Sequence, residues 1–252
     1  MKKHLALLTL IVFASITLTS CKEETTEPSK EGKYLGSKIK MGNDSVQSFV
    51  ELNAAGDPVV LGVLLSSKSM QGLPADPMGT KFRIDLPATA PVAPYSFIEV
   101  GWNPGGHPPP GVYDKPHFDF HFYMEPNTVI DAISVPPLKD VTPIGSEFLP
   151  FGYASDSSVV PKMGVHWVDV NSDEFTPKGF SQTFIWGTYK GKVNFLEPMI
   201  TKAFLDTKPD TGIALKQPTG FQKSGYYPKY LDIHYNAATD FYEVELETLT
   251  KH

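Results

Sequence analysis

After Pro116 the chain runs His117, Phe118, Asp119, Phe120, His121, Phe122, an unbroken alternation of polar and aromatic residues. Successive side chains of a β-strand point to opposite faces, so this segment predicts a strand with three phenylalanines on one face and His117, Asp119 and His121 on the other. A helix would scatter both sets around its circumference. The aromatic face demands burial against a core. The polar face must then look toward solvent, a cavity or a metal.

The same period runs through the rest of the chain, and no stretch keeps helical periodicity for three turns. Val46 to Leu52 and Val59 to Ser67 flank Asn53-Ala54-Ala55-Gly56-Asp57-Pro58, which predicts a hairpin. Phe180 to Tyr189 and Lys192 to Met199 flank Lys190-Gly191, and Tyr230 to Tyr235 and Phe241 to Glu247 flank Asn236 to Asp240, which predicts two more. Phe82 to Leu86 and Ser96 to Trp102 read as further strands, separated by Pro87, Pro91 and Pro94. A short helix is expected near Thr128 to Ile133, ended by Pro136 and Pro137. The 23 prolines and the long connection from Pro136 to Pro161 assign much of the structure to loops. The expectation is a mainly β fold: a single compact antiparallel β-barrel or sandwich-like domain over residues 34–252, with long Pro/Gly-rich loops and little helix.

The beginning of the chain speaks of location. Lys2 and Lys3, an apolar run over residues 5–18 and the Leu18-Thr19-Ser20 triplet before Cys21 read as an export signal over residues 1–20, too short for a membrane span. The segment resembles a bacterial lipobox, which implies cleavage before Cys21 and lipidation of its thiol, with two or three acyl chains making a stable anchor. Residues 21–33 hold Lys, Glu, Thr, Pro, Ser and Gly with no large apolar residue, as expected of a flexible tether. Lys22-Glu23-Glu24 resembles the acidic surface-export signal of some Gram-negative lipoproteins. The expected address is therefore the bacterial cell envelope, at the outer membrane and facing outward.

Charge and cysteine content narrow the chemistry. The formal net charge is −6, and removing Lys2 and Lys3 makes the remainder more acidic still. That balance, with Arg83 the only arginine, argues against nucleic acid and clustered phosphate recognition. Cys21 is the only cysteine, so once it is lipidated the folded part has no disulfide, no cysteine nucleophile and no thiolate ligand. Any metal must be held by nitrogen and oxygen. There is no Gly-x-Ser-x-Gly elbow, P-loop or Gly-x-Gly-x-x-Gly fingerprint.

Residues 101–125 carry three of the seven histidines. Along a regular strand His117 and His121 lie roughly 13 Å apart at Cα, near the limit for sharing one ion, while neighbours two apart are separated by about 7 Å. A shared ion would need a bulge to shorten the segment. Two distant partners suggest themselves. His166 sits in Gly164-Val165-His166-Trp167, a strand entered from a loop, and Glu197 stands among Phe195, Leu196 and Met199, where a carboxylate is either at an edge or placed for a partner. His107, in Gly-Gly-His-Pro-Pro-Pro, could close over the site. Three nitrogens and a carboxylate would suit Zn, or Fe, Mn, Ni or Cu. The competing reading makes His117 and His121 a wet sheet face paired with Asp119, and Glu197 a surface residue. Trp102, Trp167 and Trp186 are expected in the core or at its rim, and His234 with Asp232 at an exposed strand end.

The segments His107 to Tyr123, Val160 to Trp167 and Thr183 to Thr201 resemble the motifs of an uncharacterised bacterial family, the TTHB-like domain of unknown function, which includes exported and lipid-anchored members. The likeness covers most of the chain beyond residue 45, without the loop from Lys139 to Val159. It implies one β-rich domain in which His107, His117, His121, His166 and Glu197 belong together, and it implies no reaction. The expectation that follows is an envelope lipoprotein holding one divalent metal through His117, His121, His166 and Glu197, with Asp119 orienting a histidine and His107 near the opening. An open coordination position would let the metal activate water or bind a small anionic or oxygen ligand. The alternative is a non-catalytic ligand-binding or assembly module at the membrane surface, whose partner is a small molecule or a protein. Exposed sheet edges would permit a homo-oligomer.

Overall fold

The three phenylalanines of the alternating segment are fully buried, and so is every other residue of their strand. That strand lies in the interior of a sheet, in a computed structural model that describes residues 30–134 and 139–252. The export signal, Cys21, most of the tether, and Pro136 and Pro137 lie outside the described residues.

In chain order the strands are β1 (Gly32–Met41), β2 (Asp44–Leu52), β3 (Pro58–Ser66), β4 (Thr80–Asp85), β5 (Phe97–Asn103), β6 (His117–Tyr123), β7 (Tyr153–Ala154), β8 (Val159–Val160) and β9 (Gly164–Asp169). They continue with β10 (Gln182–Tyr189), β11 (Lys192–Thr201), β12 (Asp210–Ala214), β13 (Tyr226–Tyr227), β14 (Tyr230–Asn236), β15 (Phe241–Glu247) and β16 (Thr250–Lys251). Among the described residues α-helix is confined to α1 (Asn127–Asp131) and α2 (Lys202–Leu205).

One sheet has the order β1-β2-β3-β15-β14-β12, and the other β4-β5-β6-β11-β10-β9-β7 with β8 also on β9. All pairings are antiparallel, and β13 and β16 form a separate ribbon. Neither large sheet closes on itself, so of the two architectures expected the molecule adopts the sandwich-like one and not the barrel. The anticipated hairpins are all present, as β2/β3, β10/β11 and β14/β15. The short helix is present too, as α1.

Apolar residues of the two sheets meet in one core. Phe118, Phe120, Phe122, Ile98, Val100 and Leu196 come from the second sheet, and Val46, Leu61, Val63, Leu65, Val244 and Leu246 from the first. Full burial of a phenylalanine contributes on the order of 2 kcal/mol, so β6 is a main anchor of the sandwich. A smaller core lies on the opposite face of the second sheet, built from Phe97, Tyr123, Phe195 and Ile185 of the strands, with Tyr113, Ile130, Ile133 and Phe180 laid over them by loops and α1. The second sheet is thus covered on both sides. The face of β6 bearing the two histidines and the aspartate is inside the protein, not wet.

One boundary differs from the expectation. The stretch read as tether to residue 33 ends in the sheet, because β1 begins at Gly32. Lys33 explains this: its ammonium reaches Glu51 at 3.1 Å and Glu243 at 2.7 Å and lies 4.0 Å above the Phe49 ring, tying the strand start down.

Candidate metal centre

Register across the second sheet decides which side chains meet. On the face away from the main core, Gly101 of β5 pairs with Asp119 of β6, Asn103 with His117, and Glu99 with His121. From the other side, β11 presents Met199 opposite Asp119 and Phe195 opposite Tyr123. Glu197, two residues from each, comes level with His121. Its neighbour Pro198 has no N–H to give the ladder, and the pairing with β6 skips both positions. His166 of β9 sits opposite Gly187 of β10. A Cβ at Gly187 would lie 2.0 Å from the Phe195 ring, so only glycine lets that ring lie across the strand. His166 then packs against Phe195, with centroids 5.1 Å apart, and turns its imidazole toward Glu197.

Two groups result. In the first, Nε2 of His121 is 3.2 Å from Glu197 Oε1, and Nε2 of His166 is 3.4 Å from Oε2. Glu197 and His121 are almost fully buried and His166 is mostly so. In the second, Nε2 of His117 is 3.1 Å from Asp119 Oδ1, and Nε2 of His107 is 3.6 Å from Oδ2. Each group offers two imidazole nitrogens and one carboxylate oxygen, all within 4.8 Å of one another. Ligands about 2.1 Å from one ion at tetrahedral or octahedral angles stand roughly 3.0–3.4 Å apart, so each nitrogen-to-oxygen distance is near that range while the 4.8 Å span of each triad would have to contract a little around an ion. Either buried group could hold a metal ion.

The four residues expected to form one ligand set therefore divide. His121, His166 and Glu197 converge as anticipated, but His117 belongs with Asp119 and His107. The reason is the strand repeat: β6 pairs with β5 in continuous register without a bulge, so nothing shortens the path from His117 to His121. Asp119 does more than orient a histidine, because it supplies the carboxylate of its own group. His107 arrives from the loop after β5. Gly106 at φ +73° makes the turn, where a Cβ would strike the Tyr113 carbonyl at 2.1 Å, and the His107 amide donates to that carbonyl at 3.2 Å.

The electrostatics of the groups differ. Burial pushes the Glu197 carboxyl well above the usual carboxylate range, and the nearby Asp119 charge adds to this. Burial also pushes His121 well down and His166 down to about 4. The first group is therefore uncharged when only protons are available, and its preferred state is inverted by a cation. At Asp119, burial works to raise the pKa, but the facing imidazoles of His107 and His117 outweigh it and hold the carboxyl below its ordinary range. Oδ1 of Asp119, Nε2 of His121 and Oε2 of Glu197 are sealed from solvent without a well-formed hydrogen bond. Buried polar atoms left so are uncommon and call for an explanation, an ordered water or an ion among them.

Several neighbours escaped the sequence reading. Asn103 donates to Asp119 Oδ2 at 2.7 Å. Its place in the period-two row with Glu99 and Gly101 was the available signal. Glu99 is buried beside His121 in that row, neutralised by Lys81 at 3.0 Å and Arg83 at 2.9 Å. Glu174, buried, accepts from Thr183 at 2.6 Å and Tyr113 at 3.3 Å, and no local pattern announced it. Trp102 and Trp186 are buried in the main core, and Trp167 packs at its edge. His234 is part-exposed and pairs with Asp210 at 2.9 Å, away from both groups. Compared with models of protein families, with curated proteins and with solved structures, the chain matches none.

Proposed function

We propose that this chain is a lipid-anchored protein of the bacterial cell envelope whose β domain binds a divalent transition-metal ion through His121, His166 and Glu197. The observation that carries the reading is the placing of a sealed carboxylate between two Nε2 atoms, 3.2 and 3.4 Å from its two oxygens. A carboxylic acid and two neutral imidazoles in an apolar enclosure cost desolvation energy and, without an ion, return little for it. Three separate strands deliver the donors, which implies a site built by the fold rather than a chance surface cluster. Two nitrogens and one oxygen suit Zn, Fe, Mn, Ni or Cu, and exclude soft thiolate chemistry. Three protein ligands leave a coordination position for water or a small anionic or oxygen ligand, the arrangement that metal-dependent hydrolysis requires.

Elemental analysis of the full chain, purified without a polyhistidine tag, tests this. About one equivalent of a transition metal per chain at this group is expected, lost in both His166→Ala and Glu197→Gln. Less than about a tenth of an equivalent, with no uptake on adding the metals, ends the proposal.

A further inference from the structure

The second group differs from the first in how its histidines are held. Nδ1 of His117 lies 2.7 Å from the Lys115 carbonyl, and Nδ1 of His107 lies 2.8 Å from the Pro108 carbonyl. A carbonyl only accepts, so in both rings Nδ1 carries the proton and donates it. In the neutral ring Nε2 then carries a lone pair; both Nε2 atoms aim at the same carboxylate, and that of His117 also lies 3.4 Å from the Asn103 amide nitrogen. Anchoring one ring nitrogen to a backbone carbonyl while the other is left free is how proteins orient metal-ligating histidines. Asp119 is held from behind by Asn103 through Oδ2, while Oδ1, buried, has no well-formed hydrogen bond of its own. The ring of Phe180 at 5.2 Å from His117, and that of Tyr113 at 5.6 Å from His107, wall the group in.

We infer that His107, His117 and Asp119 form a second metal site, so that the chain carries two divalent cations in tandem along β6. The two groups share no residue. Asp119 and His121 are neighbours on one face of a regular strand, about 7 Å apart at Cα, so the ions occupy separate positions rather than a carboxylate-bridged pair. They also differ in access. In the inner site His121 and Glu197 are almost wholly buried and His166 keeps 22 % of its side chain exposed, whereas His107 keeps 34 % exposed on a loop. The outer position is therefore the one that exchanges its ion and meets ligands from solution. With two nitrogens and one oxygen it takes the same borderline cations as the inner site, Zn²⁺ or Co²⁺ among them.

The test is zinc loading of the tag-free full chain after chelator stripping, read by elemental analysis and, with Co²⁺ in place of zinc, by visible absorption. Wild type is expected to bind two equivalents, the outer one leaving first under a chelator. His107→Ala and Asp119→Asn should each lose one equivalent and keep the other, and Glu197→Gln should lose the other one. His107 is half-buried and sits on a loop outside the strands, so its variant keeps the fold even if Asp119→Asn does not. A single equivalent in wild type, unchanged in His107→Ala, overturns the second site and leaves the inner one standing. A single equivalent lost in His107→Ala but kept in Glu197→Gln does the reverse. No uptake of either ion removes both, and makes the outer group an ordinary ion pair of two histidines with Asp119.

Discussion

At the scale of single residues, Gly187 shows how a position without a side chain shapes a site. Its missing Cβ makes room for the Phe195 ring, which in turn packs on Tyr123, His121 and His166 with centroids 5.0 to 5.5 Å apart. Gly187→Ala overpacks this contact, because Phe195 is enclosed and has no free direction in which to move. A loss of about 1–3 kcal/mol in chemical denaturation is expected, with weakened metal uptake at His166. Residue by residue, much of the site was legible in the sequence. Glu197 stood out because a carboxylate amid Phe195, Leu196 and Met199 calls for a partner, and His166 because it enters a strand from a loop. The allocation of His117 was not legible. A period of two states which face a residue shares, but not which of two neighbours on adjoining strands or loops reaches it. Asn103 was marked only by its place in the row with Glu99 and Gly101, because its role depends on cross-strand register with His117.

Among the elements, β15 carries a charge network on the outer face of the first sheet. Glu245 pairs with Gly62 on one side and Asp232 on the other, leaving its carboxyl nearly buried beside Glu243 and Glu247. Burial first, and then the hydrogen bond with Glu243, push Glu245 up to about 8. Below the ordinary carboxylate pKa both folded and unfolded chains hold this proton. As pH rises toward 8 the unfolded chain releases it and the folded chain does not, so stability falls through that window. Glu245→Gln keeps a donor to Glu243 and removes the ionisation. Its unfolding free energy relative to wild type, measured by chemical denaturation, should therefore rise progressively between pH 5 and pH 8, by an amount on the order of a few kcal/mol. A constant offset across that range would contradict the assignment. Element prediction from the sequence succeeded where Gly, Asn, Asp and Pro mark the turns, as between β2 and β3. It passed over β1, where the ladder slips between Leu35 and Lys38 and most side chains are exposed, so that no clean alternation survives.

On the scale of the molecule, the sequence distinguished a mainly β chain from other classes but left barrel and sandwich open, since closure depends on which edge strands meet. It also left open what covers the second sheet. The loops and α1 that do so hold few consecutive apolar residues, and their packing becomes visible only in three dimensions. The proposed anchor predicts that Cys21→Ser abolishes incorporation of labelled palmitate and moves the protein from the membrane fraction to the soluble one. Retention in the membrane with no label would refute lipidation at that thiol. The regular pairing of β6 with β5 has a further consequence. Both donor triads are hung from one rail whose pitch is set by peptide geometry, so changes to side chains can alter which ion each berth accepts but not the gauge between berths. Any ligand spanning both must fit that gauge.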